Sequence, residues 1–259
     1  MEQQMTAFSP KPQIDTSRPH PARVYDFLLG GKDHYQVDKD MGGQLPSAVA
    51  QGARHNRAFM HRAVGWVASR GIDQYLDIGT GIPTEPNLHQ IAQRTVPAAR
   101  VVYTDNDPIV LRHAEALLIS SEQGATDYLQ ADVREPGGIL DHARSLLDFN
   151  RPICLSLVAL LHFVTDDQDP YGITRTLVGA MPSGSFLVFS HGTFDFHRPD
   201  DAYSSRIDSK WRSRAEIEPF FEGLEIVDPG LVPAPHWYKD TPAPQDEVSG
   251  IYAAVARIP

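Results

Sequence analysis

The chain has 259 residues, 41% of them hydrophobic, and a formal charge of −10 at neutral pH. That apolar content suffices for the core of one α/β domain and excludes wholesale disorder, while the acidic balance argues against a nucleic-acid backbone as the main partner. A single cysteine, Cys154, excludes a disulfide framework and fits a reducing cytoplasm, and no apolar run approaches the roughly 18 residues of a membrane helix, so a soluble cytoplasmic protein is expected.

Residues 1–20 are polar and carry Pro10, Pro12 and Pro19, the pattern of a mobile tail. From Ala22 to Leu29, Val24, Phe27 and Leu28 have helical spacing, and Gly30 and Gly31 stop the helix. A longer helix is predicted over Pro46–Ser69, with Ala53, Phe59, Ala63 and Val67 facing inward and Gly71 as its C-cap. Residues 21–71 therefore read as a helical lid segment ahead of a domain over 72–259. Within that domain strands are predicted at Tyr75–Ile78, Val101–Thr104, Asp127–Gln130, Ile153–Val158 and Phe186–Phe189. Helices alternate with them at Asn87–Arg94, Pro108–Ser120, Pro136–Leu147 and Tyr171–Ala180. This rhythm indicates a parallel sheet covered on both faces. A sixth strand, Leu224–Val227, is followed by a Pro-rich loop over Pro229–Pro244 and a last strand, Ile251–Ala256, with no helix between. That connection suits an antiparallel hairpin.

Chemistry concentrates where the first strand runs into a turn, Asp77-x-Gly79-x-Gly81, and where the second ends on Asp105-Asn106-Asp107. A strand, a glycine turn, a helix and a second strand ending in a carboxylate make a nucleoside-binding unit. Pro83 stands where a dinucleotide fingerprint has its third small residue, and it offers no N–H; Glu85 adds a negative charge to the same turn. Both disfavour a pyrophosphate. S-adenosylmethionine, a nucleoside with an amino-acid tail, a sulfonium and no phosphate, fits better. Asp105 can accept both ribose hydroxyls, Asp132 can take the adenine amino group, and Val133 can supply a backbone N–H and an apolar edge.

The run YLDIGTG, VVYTDNDP, YLQADV, SGSFLVFS and YAAVARIP resembles the class I S-adenosylmethionine-dependent methyltransferases. More narrowly, PARVYDFLLGGKDHYQVDKD with NRAFMHRAV resembles an uncharacterised actinobacterial family formerly described only as a domain of unknown function. The resemblance covers nearly the whole chain after residue 15. It implies a Rossmann-like, seven-stranded, mostly parallel sheet with the last strand antiparallel and helices on both faces. It also implies that Gly79, Thr80, Gly81, Asp105 and Asp132 line the cofactor; Asn106, Val133 and Val158 at neighbouring strand ends are counted with them. Pro83 departs from the broader class, which usually has a third glycine there.

Around this centre, Arg23, Tyr25 and Gly31 in the lid segment are candidates for closing over the cofactor, with Arg23 or Tyr25 reaching the methionine carboxylate. Arg54 and Arg57, one helical turn apart, could serve the same group. His162 and His191, just after the fourth and fifth strands, are the candidate bases for a nucleophile that must lose a proton. Trp211, Phe220, Phe221, Trp237 and Tyr238 could wall an acceptor pocket. His191, Asp195 and His197 match no defensible metal site, so no metal is expected. The reading is methyl transfer to a small-molecule acceptor; a binding module without chemistry and an NAD(P)-dependent oxidoreductase are the alternatives.

Overall fold

A computed structural model describes residues 15–117, 120–196, 207–238 and 249–259. Strands β1 (Gln74–Ile78), β2 (Arg100–Asp105), β3 (Ala125–Gln130), β4 (Cys154–Val158) and β5 (Phe186–Gly192) pair in parallel in the order β3-β2-β1-β4-β5. Strand β8 (Ile251–Arg257) adds antiparallel to β5 in register, Phe186 opposite Arg257 and Gly192 opposite Ile251. Among the described residues the sheet has eight strands rather than the expected seven. Beyond β8, two short edge strands lie along its outer side, β6 (Glu225–Ile226) and β7 (Val232–Pro233), both antiparallel to it. β7 falls inside the stretch expected to be loop. Two residues, one a proline, give no hydrophobic run, and proline is tolerated there because an edge strand need not donate on its outer side.

Alternate residues of each strand serve opposite faces. Leu76, Val102, Leu155 and Leu187 join one core cluster with the helices α6 (Pro136–Ala143) and α7 (Pro170–Gly179), whereas Tyr75, Val101, Cys154 and Val188 join another. Phe59, Ala63, Val64 and Val67 of α3 (Ser47–Ala68) fill that second cluster together with α4 (Leu88–Thr95), so α3 packs directly on the sheet. Helix α5 is Pro108–Leu117.

The first helix, α1 (Pro21–Leu29), starts with Pro21 behind an N-cap at His20 and ends at Gly30, whose φ of 83° is the left-handed conformation of a C-cap. A second helix, α2 (Gln36–Gly42), was not anticipated, because Val37 and Met41 are its only large apolar residues. It forms around buried Asp38, which accepts from the backbone N–H of Tyr35 and of His20, each at 2.9 Å. Among the described residues no helix is long and apolar enough to cross a membrane.

Candidate active site

The glycine turn after β1 is clipped to the end of β2. Gly79 (φ 75°) and Thr80 donate their N–H groups to Thr104 O at 2.8 and 3.1 Å. Gly81 N–H donates to Asp105 Oδ2 at 2.8 Å, and Asp107 N–H to Asp105 Oδ1 at 2.9 Å. Glycine is favoured at position 79 on two counts. Its φ is positive, and a Cβ there would stand 2.6 Å from Leu160 Cδ1. Each Asp105 oxygen thus accepts one backbone donor and keeps a lone pair free.

A cavity of about 500 Å³ opens over the carboxyl ends of β1 to β5, where ligands bind in open α/β sheets. Gly79, Thr80, Gly81, Asp105, Asn106, Asp132, Val133, Val158 and His162, all expected from sequence, line it. Tyr25 does too, from α1, which roofs the cavity with His20, Val24 and Leu28. The wall is interrupted between Ile82 and Pro86 and resumes at Asn87, so the Pro83 segment stays out of the pocket.

Three carboxylates on the rim differ in environment. Burial pushes Asp77 up to about 6 against the opposing pull of Ser156 and Arg57, and Asp105 is also raised by burial. Asp132 is held low by Arg134, whose Nε donates to Oδ1 at 2.8 Å; Asn106 Nδ2 donates to Oδ2 at 3.3 Å. Arg57 faces this group from α3. Its Nη2 donates to Thr84 O and, at 2.8 Å, to Pro86 O, while its buried Nε has no partner.

The roof is tied to the sheet through buried Asn56. Tyr25 Oη–H donates to Ala53 O at 3.0 Å, and Asn56 Nδ2 donates to Tyr25 Oη at 2.9 Å. Ser190 Oγ–H donates to Asn56 Oδ1 at 2.5 Å, and Ala159 N–H to Ser190 Oγ at 2.9 Å. Sequence reading passed over Asn56, Arg134 and His20. The available signal for Asn56 was a polar residue on the otherwise apolar face of α3.

The structure places several other candidates off the cavity wall. Arg23 does not line the cavity: its Nε pairs with buried Asp107 Oδ2 at 2.8 Å and its Nη1 donates to Asp15 O at 2.9 Å. Gly31 lies outside too. A Cβ there would be 1.9 Å from Asp26 Oδ1, so the missing side chain makes room for Asp26, which accepts from Asp33 N–H and pairs with His34. His191 is buried away from the cavity, with Nδ1–H donating to Gly192 O at 2.7 Å and Nε2 accepting from Arg212 Nη1 at 3.0 Å. Burial lowers it to about 3, so it is neutral and fully engaged. Arg54 is exposed and off the wall. Of the five aromatic candidates only Trp211 lines the cavity. Phe220, Phe221 and Trp237 are core, and Tyr238 stacks on Trp66. No cluster of three metal-binding side chains occurs among the described residues, and His197 lies outside them.

The profile of a family described as S-adenosyl methyltransferase matches residues 7–259. The chain belongs to the S-adenosyl methyltransferase family. The family resemblance extends to solved structures. A DUF574 family protein from Streptomyces avermitilis is 45% identical, with 95% of this chain and 100% of that one covered and a TM-score of 0.90. A candidate methyltransferase from Thermobifida fusca is 35% identical over 97% and 99%, with a TM-score of 0.84. None of the curated proteins compared matches the chain. The cofactor of an S-adenosyl methyltransferase is S-adenosylmethionine, and this site suits it. Asp77 and Arg57, groups of opposite charge, both line this cavity, as suits a ligand that carries an ammonium and a carboxylate.

Proposed function

We propose that this protein transfers the methyl group of S-adenosylmethionine to a small-molecule acceptor held over β4 and β5. Asp105, with one lone pair free on each oxygen, takes the ribose hydroxyls, and Asp132 and Val133 border the adenine. Arg57 Nε takes the methionine carboxylate and Asp77 its ammonium. The observation that carries this reading is that Asp77 and Arg57 line the same cavity, near enough for the guanidinium to pull the carboxyl down. Asp77 is a carboxyl that burial drives towards protonation, and Arg57 has a buried donor without an acceptor. Each is unfavourable alone, and a bound zwitterion relieves both. Bound there, the cofactor supplies an electrophilic methyl group on a sulfonium. The protein's own part is alignment and exclusion of water, for which the Tyr25–Asn56–Ser190 relay sets the height of the roof.

Calorimetry with S-adenosylmethionine and with NAD tests the cofactor assignment. Tight binding of the first and none of the second is expected, and the reverse would overturn it. Methyl-labelled S-adenosylmethionine incubated with metabolite extracts tests the chemistry. Label should move to a small molecule; failure across many extracts would favour a binding module without catalysis.

A further inference from the structure

The cavity has two chemically different halves. Over β1, β2 and β3 it is edged by Asp77, Asp105, Asp132, Arg57 and Arg134. Over β4, β5 and β8 its walls include Leu160, Phe163, Val164, Ile207, Trp211 and Ile251. In this second half His162 is the buried titratable group, and Asp208 stands exposed at the rim.

The surroundings of His162 decide which nitrogen carries its proton. Gly192 N–H, at the end of β5, donates to Nδ1 at 3.4 Å. A neutral imidazole that accepts at Nδ1 carries its hydrogen on Nε2. Burial, reinforced by His191 and the guanidinium of Arg212, holds the ring well below its ordinary pKa and therefore neutral. The loop bearing it is rigidly held. Buried Arg212 donates from Nη1 to Leu161 O at 3.0 Å and from Nη2 to Val164 O at 3.1 Å, on either side of His162. Lys210 N–H donates to His162 O at 2.7 Å. Asp166, the carboxylate nearest in sequence, accepts from Arg212 Nη2 at 2.6 Å. A histidine base needs the opposite arrangement, an acceptor on Nδ1 and a bare Nε2. Phe163 and Trp211 flank the ring at centroid distances of 4.2 and 5.9 Å.

We infer that His162 Nε2–H is a hydrogen-bond donor that selects the acceptor, and that the acceptor is an apolar small molecule bearing a lone-pair oxygen, a phenol being the simplest case, and not a protonated amine. A cation beside His162 would meet an N–H donor and apolar side chains, with the Asp208 carboxylate out at the solvent-exposed rim, so its desolvation there is poorly compensated. This rests on the methyl-transfer reading of the cavity.

The test uses the full chain saturated with S-adenosylhomocysteine and three probes followed by tryptophan fluorescence: p-cresol, p-xylene, in which a methyl replaces the hydroxyl, and 4-methylbenzylamine. Wild type should bind p-cresol about fivefold or more tighter than p-xylene, as one net hydrogen bond implies, and should reject the amine. His162→Ala should erase the preference for p-cresol, and His162→Gln, which keeps an N–H donor, should restore part of it. Equal affinity for p-cresol and p-xylene, preference for the amine, or equal loss of both neutral probes in His162→Ala would overturn the inference. Nitrogen NMR of the histidine-labelled wild type adds a measurement free of folding defects. The Nε2–H tautomer is expected, and the Nδ1–H tautomer would refute it. If S-adenosylhomocysteine itself fails to bind, the cofactor reading falls at the first titration and takes this inference with it.

Discussion

Replacing Arg57 by methionine keeps most of the aliphatic stem and removes the guanidinium. The side chain then loses two kinds of contact with separable readouts. The Nη2 bonds to Thr84 O and Pro86 O hold the loop between β1 and α4, so their loss should lower the melting temperature of the unliganded protein. The unpartnered Nε is the donor assigned to the methionine carboxylate. A charge-assisted hydrogen bond is worth about 1.5–3 kcal/mol, or roughly ten- to a hundredfold in affinity. Titration calorimetry with S-adenosylhomocysteine should show that loss. The same titration with 5′-methylthioadenosine, which has the nucleoside and sulfur but no amino-acid portion, should show almost none. Melting curves calibrate the fold damage independently of either ligand. Unchanged affinity for S-adenosylhomocysteine refutes the assignment. So does an equal loss for both ligands, which would mean that the loop had collapsed rather than that a carboxylate partner had gone.

Asp77→Asn should stabilise the unliganded protein at pH 7 and do little at pH 4. The folded carboxyl, at about 6, lies above its ordinary 3.8. Between these values the native state holds a proton that the unfolded chain has released, so stability falls as pH rises through the window, by about 3 kcal/mol in all. Melting curves across that range check the sign, and S-adenosylhomocysteine should bind the wild type more weakly below pH 6 as Asp77 takes up its proton. Asp105→Ala should cost at least about tenfold in S-adenosylhomocysteine affinity and also orphan the Gly81 and Asp107 N–H groups; undiminished binding by a folded variant would remove the ribose assignment. Arg23→Met should destabilise by about 3 kcal/mol in chemical denaturation, because it strips a partner from the buried Asp107 carboxylate. A change confined to ligand affinity would contradict the structural role given to Arg23.

Strand ends were the legible part of the site. Once β1, β2 and β3 are recognised as parallel neighbours, Gly79, Asp105 and Asp132 must converge at their carboxyl edge, whatever the helices do. Side-chain direction was not legible. Ser190 and His191 are adjacent on β5, yet Ser190 turns to Asn56 on α3 whereas His191 stacks beside Phe189 and Phe220 on the other side. One residue of offset exchanges the faces of a strand, and the apolar run of β5 carries no alternation to reveal it. The placement of Arg23 was hidden for a related reason. Its partner Asp107 looks from sequence like a helix cap; it does accept from Ile109 N–H at 3.0 Å, and with its other oxygen it also takes the arginine. β7 and α2 went unseen because one is two residues long and the other is nucleated by a distant contact, His20 N–H on Asp38.

The anchors of the roof join very distant parts of the chain: Arg23 meets Asp107 across 84 residues, and Asn56 meets Ser190 across 134. Pairings of that separation carry a loop-closure entropy that the packing of the sheet must offset. During synthesis α1 precedes β2 and β5, so neither anchor can form until those strands have been made. The cofactor chamber is therefore completed only when nearly the whole chain is present. A cofactor that binds only the finished chamber makes its own concentration act on the fraction of chains that are fully folded.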